Sequence, residues 1–211
     1  MPKKKNAGLS RRESEKTTAI EQARKQQILE AASALFRNQG FAKTSLDDIA
    51  RSVGVSRGIL FYYFDGKREI GINTLRLALR EYSAFVRERM EGKRKPSTRL
   101  LAFIDACLDY QQFHPELYLD YVELIACLDQ DSDRYTLTEL VNKRTRQLLM
   151  QLIRDGQAAG DIARVSPQGL ADVIQAFIDG TMEMAALEPG VVDFAASKRL
   201  IRQMVKHVID P

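Results

Sequence analysis

The residues best equipped for recognition chemistry lie in one stretch, TSLDDIARSVGVSRGILFYYFDGK, from Thr44 to Lys67. Arg57 carries a planar fork of donors that can pair with guanine O6 and N7, a contact worth ~1–3 kcal/mol of base discrimination. Ser56, Arg57 and Gly58 fall in the first turn of a short helix, where free backbone N–H groups and the positive dipole end favour phosphates and electronegative base edges. Gly58 permits close backbone approach, Ile59 suits a thymine methyl, and Tyr62 and Tyr63 offer hydroxyls to phosphate oxygens. Lys43, Thr44, Ser45 and Lys67 add hydroxyls and charge for the same phosphate strand. Phe64 reads as core, because three successive helical positions cannot all face one way.

Catalytic chemistry has no comparable constellation. His114 and His207 are too few and too far apart for a zinc site, and no H-E-x-x-H, G-x-S-x-G, G-x-G-x-x-G or Walker pattern occurs. The expectation is therefore no metal, no cofactor and no enzymatic activity. Cys107 and Cys127 are not in a C-x-x-C spacing and read as free thiols in the core, with redox sensing as the alternative.

Helical periodicity must position these groups. Ile28, Ala31, Ala32, Leu35 and Phe36 form one apolar stripe ending at Gly40, and Leu46, Ile49, Ala50 and Val53 repeat it in a shorter helix. Thr44 or Ser45 can cap that second helix with Asp47 or Asp48 three residues on, and Gly54 is placed to end it. A third helix starts at Ser56 and ends near Gly66, so two short helices joined by a tight turn make a helix-turn-helix. Ser56 to Tyr63 spans ~12 Å at 1.5 Å per residue, comparable to the ~12 Å width of the DNA major groove. A longer helix runs from about Lys67 to Met90, and GKRKPS reads as a linker. Beyond it the pattern predicts helices near 97–113, 115–129, 134–156, 167–187 and 193–209, and no convincing strand anywhere.

Charge is split along the chain of 211 residues: residues 1–80 hold 16 Lys+Arg against 8 Asp+Glu, and residues 81–211 hold 16 against 20. A basic head on a neutral-to-acidic body suits a polyanion partner, double-stranded DNA. Residues 1–20 are basic with almost no apolar side chains and read as a mobile tail, either featureless or brushing DNA. No apolar run approaches the ~20 residues that span a bilayer, and the N-terminus lacks a secretory pattern. No membrane partner and a cytoplasmic location are expected.

The run RKQQILEAASALFRNQGFAKTSLDDIARSVGVSRGILFYYFDGKREI, from Arg24 to Ile70, resembles the N-terminal signature of the tetracycline-repressor (TetR) family of bacterial transcription regulators. The resemblance rests on Gly40-Phe41, Thr44-Ser45, Asp48-Ile49-Ala50 and Gly54-Val55-Ser56. It implies three DNA-binding helices, a fourth linking them to a ligand-binding domain, and a homodimer formed by the last two helices. Three positions depart from the family pattern: Phe61 and Tyr63 stand where tyrosine and histidine are common, and Gly66 where a capping Ser or Asn is frequent.

Magnitude also argues for a dimer, because one reading helix supplies only the low end of the ~4–10 kcal/mol separating specific from non-specific binding. Its surface is expected on 167–187 and 193–209, where Leu170, Val173, Ile174, Phe177 and Ile178 form a wide stripe; intrachain core is the alternative. An unknown small-molecule effector is expected among the middle helices, at Phe103, Cys107, Tyr110, Tyr121, Glu123, Ile125 and Phe177. The fold expected is all-α: a basic tail (1–20), a three-helix DNA-binding domain (21–68), and a larger helical effector-binding and dimerisation domain (69–211). The function expected is a homodimeric repressor released from a palindromic operator by the effector. The rival readings are an effector-free architectural or cell-cycle DNA-binding protein, and a helical binding or enzymatic module with a vestigial front domain.

Overall fold

The computed structural model describes residues 11–127 and 139–210, all helices and connections with no strand among them. The chain divides into two units, residues 1–74 and 75–211, within one helix.

In the first unit α1 spans Arg11–Gln39, α2 Leu46–Val53 and α3 Arg57–Tyr63, and α4 begins at Lys67. The core is the expected stripe: Ile28, Ala32 and Phe36 of α1 meet Ile49 and Ala50 of α2, Leu60 of α3, and Phe41, Phe64 and Ile70. Phe36 and Phe41 pack edge to face with centroids 5.0 Å apart. α1 starts at Arg11, not near residue 20. The basic stretch is rich in Arg, Glu and Lys, good helix formers, and extending an existing helix carries no nucleation cost. The rest of the expected tail, residues 1–10, lies outside the described residues.

Gly54 makes the turn between α2 and α3. Its φ of 71° lies in the left-handed region, and its N–H reaches back to the carbonyls of Ala50 and Arg51. A Cβ added there would meet nothing, so the backbone angle alone requires glycine.

In the second unit α4 continues to Met90, followed by α5 (Pro96–Phe113) and α6 (Glu116–Ala126). A five-residue π-helical segment, Glu139–Lys143, then leads into α7 (Arg144–Ala158), before α8 (Pro167–Leu187) and α9 (Phe194–Ile209). α5 is the central helix: Leu100, Phe103, Ile104, Cys107 and Leu108 are buried against Leu149, Leu152 and Ile153 of α7, Ile174 and Ile178 of α8, and Ile201 and Val205 of α9. Ion pairs Arg202–Asp105 and Lys198–Asp109 tie α9 to α5. Asp161 caps α5 by accepting the Ser97 N–H at 2.7 Å.

Gly156, buried on α7, accepts the N–H groups of Asp161 and Ile162 at 2.8 and 3.1 Å, folding the following loop back on the helix. A Cβ at Gly156 would stand 2.4 Å from Cδ1 of Ile162 and 3.0 Å from its Cβ. Gly156→Ala is therefore expected to destabilise the chain by about 1–3 kcal/mol, the usual cost of overpacking a filled site. Urea unfolding checks this; an unchanged midpoint would show that Ile162 repacks freely.

Candidate nucleic-acid interface and cavity

α2 is fixed by a capping box: Ser45 Oγ accepts the Asp48 N–H at 3.1 Å, while Asp48 Oδ2 accepts the Ser45 N–H at 2.9 Å and its hydroxyl at 2.6 Å. These bonds, led by the hydroxyl, hold the Asp48 carboxyl below its usual range, with Arg51 adding to the effect. Ser45 is thus the cap, and its side chain is committed to Asp48. Thr44 is 1% exposed; its Oγ1 donates to the Gly40 carbonyl at 2.8 Å and accepts from Gln39 Nε2 at 3.2 Å. Its hydroxyl closes the α1–α2 connection and is turned inward, away from the surface on which a phosphate contact was expected.

Lys67 is more extensively bonded within the protein. Its Nζ donates to the carbonyls of Phe41, Ala42 and Thr44 at 2.9, 3.2 and 2.9 Å and lies 4.5 Å from the Phe41 ring centroid. All three ammonium hydrogens face protein carbonyls, so the phosphate contact expected of this residue would have to displace one of these bonds.

The outward surface of α3 carries the remaining expected readers. Ser56 occupies the N-cap position without making a side-chain cap bond, and it is exposed together with Arg57, Gly58, Ile59, Phe61 and Tyr62. Leu60 points into the core, and Tyr63 is half-buried against Tyr62 with ring centroids 4.9 Å apart. Arg57 Nη1 stands 3.5 Å from Asp47 Oδ2, both side chains more than half exposed, and its guanidinium lies 5.6 Å from the Phe61 ring. The Tyr62 hydroxyl donates to Glu21 Oε1 at 3.1 Å, tying α3 to α1 and raising the phenol pKa above its ordinary value. A phosphate would have to displace that carboxylate to use this hydroxyl. Lys43 is exposed at the α1–α2 connection.

The second unit contains a cavity of about 170 Å³ between α4, α5, α6, α8 and the segment before α7. Of the residues expected at an effector site, Tyr110 and Tyr121 line it. The other residues expected to line it do not. Phe103 faces a separate cavity of about 290 Å³, Cys107 is sealed behind Tyr82, whose hydroxyl lies 2.9 Å from its Sγ, and Phe177 packs on the core. Glu123 is exposed on the face of α6 opposite Tyr118 and Tyr121, and Ile125 is half-buried one turn beyond Tyr121, outside the lining. The walls instead carry Tyr82, Tyr118, Gln111, Gln175, Asp179 and Glu183. The missed signal was polarity inside an apolar stripe: Gln111 follows Cys107 and Leu108, and Gln175 lies between Ala171 and Ile178, at core-facing helical spacings.

Among the described residues no group of His, Cys, Asp and Glu could hold a metal ion, and no helix is long and apolar enough to cross a membrane. Cys127 is exposed, against the expectation that both thiols are core. Burial pushes the Cys107 thiol up to about 12. One thiol-reactive equivalent is therefore expected to label the native chain at Cys127, and a second only on unfolding, as read by intact mass. Rapid labelling of both would overturn that burial.

The family model described as "Bacterial regulatory proteins, tetR family" matches residues 28–71, and that of the "BetI-type transcriptional repressor, C-terminal" matches residues 96–210. The chain belongs to the TetR family. Its second unit is of the BetI type, and the chain is a helix-turn-helix DNA-binding transcriptional regulator. Among TetR-family relatives, the HTH-type transcriptional regulator BetI of Burkholderia thailandensis is 26% identical over 193 residues, covering 91% of this chain and 96% of that one. A TetR transcription regulator from Haloarcula marismortui superimposes with a TM-score of 0.77 at 20% identity, covering 90% of this chain and all of the other. A transcriptional regulator from Saccharomonospora viridis, solved in complex with choline, has a TM-score of 0.73 at 18% identity, covering 90% of this chain and 100% of that one.

Proposed function

We propose that this TetR-family chain is a cytoplasmic homodimeric repressor that sits on a palindromic operator and leaves it when a small molecule fills the cavity of the second unit. The observation that carries the reading is the continuity of α4. Its first turns belong to the DNA-binding unit, and Leu75, Leu79 and Tyr82, further along the same helix, line the cavity. A ligand that moves those side chains acts on the helix that carries the head. Coupling of this kind typically amounts to ~1–3 kcal/mol, a 5- to 150-fold change in DNA affinity.

The dimer reading is supported by two exposed apolar rows, Val173, Met184 and Leu187 on α8 and Leu200, Met204 and Val208 on α9. The latter three recur every four residues, and Gly180 leaves open space for a close-approaching helix. Ile174 and Ile178, grouped with the dimer stripe in sequence, are intrachain core. A protein with choline bound in a similar fold shows the kind of small ligand such a bundle takes in that relative. Selection of bound sequences from random duplexes is expected to return an inverted repeat. The doubly substituted chain Val173→Glu, Met204→Glu is expected to sediment as a monomer and lose most of its operator affinity. Full-affinity binding to a single half-site by a monomer would overturn the proposal.

A further inference from the structure

Two buried side chains in the cavity lack the partner that their chemistry demands. Gln111 is 3% exposed and Gln175 is 7% exposed, both line the cavity, and the Oε1 atom of each accepts no hydrogen bond from the protein. Buried acceptors left unpaired are costly and uncommon, so each calls for a donor from outside the fold. The Gln175 amide cannot be turned over to remove the problem. Its Nε2 donates to Asp179 Oδ1 at 2.7 Å, and a flip would set two oxygens face to face.

The carboxylates on the cavity wall outnumber its basic groups, of which His114 is the one that lines it among the described residues. Asp179 and Glu183 line it, no lysine or arginine does so among the described residues, and Arg146 nearby pairs with Asp172 at 3.0 Å. Burial raises the Asp179 carboxyl above its ordinary range, against the opposing pull of the Gln175 hydrogen bond and of the Arg146 charge. The rest of the wall mixes aliphatic side chains such as Leu75, Leu79 and Ile178 with the aromatic rings. Tyr82 and Tyr110 pack edge to face at 5.1 Å, and Tyr118 hydrogen-bonds Glu183. Aromatic faces attract cations. An anion would meet the Asp179 and Glu183 carboxylates and the two unpaired amide oxygens. A quaternary ammonium would satisfy the charge yet bring no N–H to either amide oxygen. At about 170 Å³ the space equals roughly five or six water volumes, enough for a small molecule.

We infer that the ligand of this cavity is a small protonated amine, which donates N–H bonds to Oε1 of Gln111 and of Gln175 beside the Asp179 carboxylate. The inference rests on the proposal that this cavity holds the effector. It specifies the class of effector, a primary or secondary alkylamine.

The full-length protein is titrated calorimetrically with n-butylamine, n-butyltrimethylammonium and n-pentanol at neutral pH, and each compound is tested for release of the selected operator. The amine is expected to bind at least about tenfold more tightly than either analogue, the increment of one hydrogen bond to a charged donor. In Gln111→Met and Gln175→Met, that preference over the trimethylammonium compound is expected to fall toward one, with the affinity for the latter nearly unchanged. Asp179→Asn is expected to remove the preference over the alcohol. If a substituted chain fails to fold, the three-ligand series on the unaltered protein decides. Equal or tighter binding of the quaternary compound overturns the assignment, as does a preference that survives both glutamine substitutions. Amine-selective binding that leaves DNA bound supports the ligand class and overturns release. Release by a cavity-filling compound with no amine preference keeps release and overturns the class.

Discussion

Arg57→Ala is expected to lower operator affinity by about 30- to 10⁴-fold, with the loss concentrated at one base pair of each half-site. A bidentate guanine contact carries ~1–3 kcal/mol, and the proposed dimer makes it twice, giving ~2–6 kcal/mol. The free protein does little to hold the guanidinium back. Its ion pair with Asp47 is exposed on both sides at 3.5 Å, and such pairs are worth ~0–1 kcal/mol, so the base contact wins the competition. The adjoining surface of α3 is suited to the same groove, with Gly58 adding no bulk and Ile59 exposed beside it. Fluorescence anisotropy on the selected operator, repeated with each base pair replaced in turn, checks the assignment. The Arg57→Ala protein should be indifferent to replacement at the one position the wild type reads. A loss spread evenly over all sequences, with the salt slope reduced, would instead place Arg57 on the backbone.

The sequence carried the first unit well because its signals are local. The box formed by Ser45 and Asp48 lies within four residues, the turn at Gly54 needs one backbone angle, and the stripe through Ile28, Ala32 and Phe36 follows helical period. Lys67 shows where local reading stops. A lysine at the start of a helix beside a DNA-reading element looks like a phosphate contact, yet its acceptors lie 23 to 26 positions earlier in the chain. The cavity was less legible for a related reason. Aromatic and sulfur side chains such as Phe103 and Cys107 are abundant in any helical core, so their presence does not separate wall from filling. The informative residues were Gln111 and Gln175, whose amides interrupt otherwise apolar faces; a buried polar residue needs a reason to be there, whereas a buried phenylalanine does not. The π-helical segment before α7 leaves no mark in composition or period, and the stretch preceding it, residues 128–138, lies outside the described residues.

Lys67→Met is expected to destabilise the DNA-binding unit by about 3 kcal/mol while leaving the salt dependence of DNA binding unaltered. A hydrogen bond to a charged group contributes ~1.5–3 kcal/mol. The three bonds to Phe41, Ala42 and Thr44 share one ammonium, and Ala42 is exposed enough for water to replace its donor, so the total falls well short of three full bonds. Loss of the cation over the Phe41 ring adds ~0.5–1 kcal/mol. Methionine keeps the length and apolar stem, which separates lost polar contacts from lost packing. Lys67→Arg should rescue only partly, since a planar fork cannot aim three N–H groups at carbonyls that converge on one point. Thermal unfolding of the full chain measures the first effect. The second comes from operator affinity at several salt concentrations well below the melting temperature: a lysine on phosphate would take about one unit off the slope when removed, and a lysine spent on carbonyls takes none. A reduced slope with unchanged stability would return Lys67 to the DNA. The expected pattern instead makes it the residue that closes the α1–α2 connection onto the start of α4, so that α3 is presented from a rigid unit.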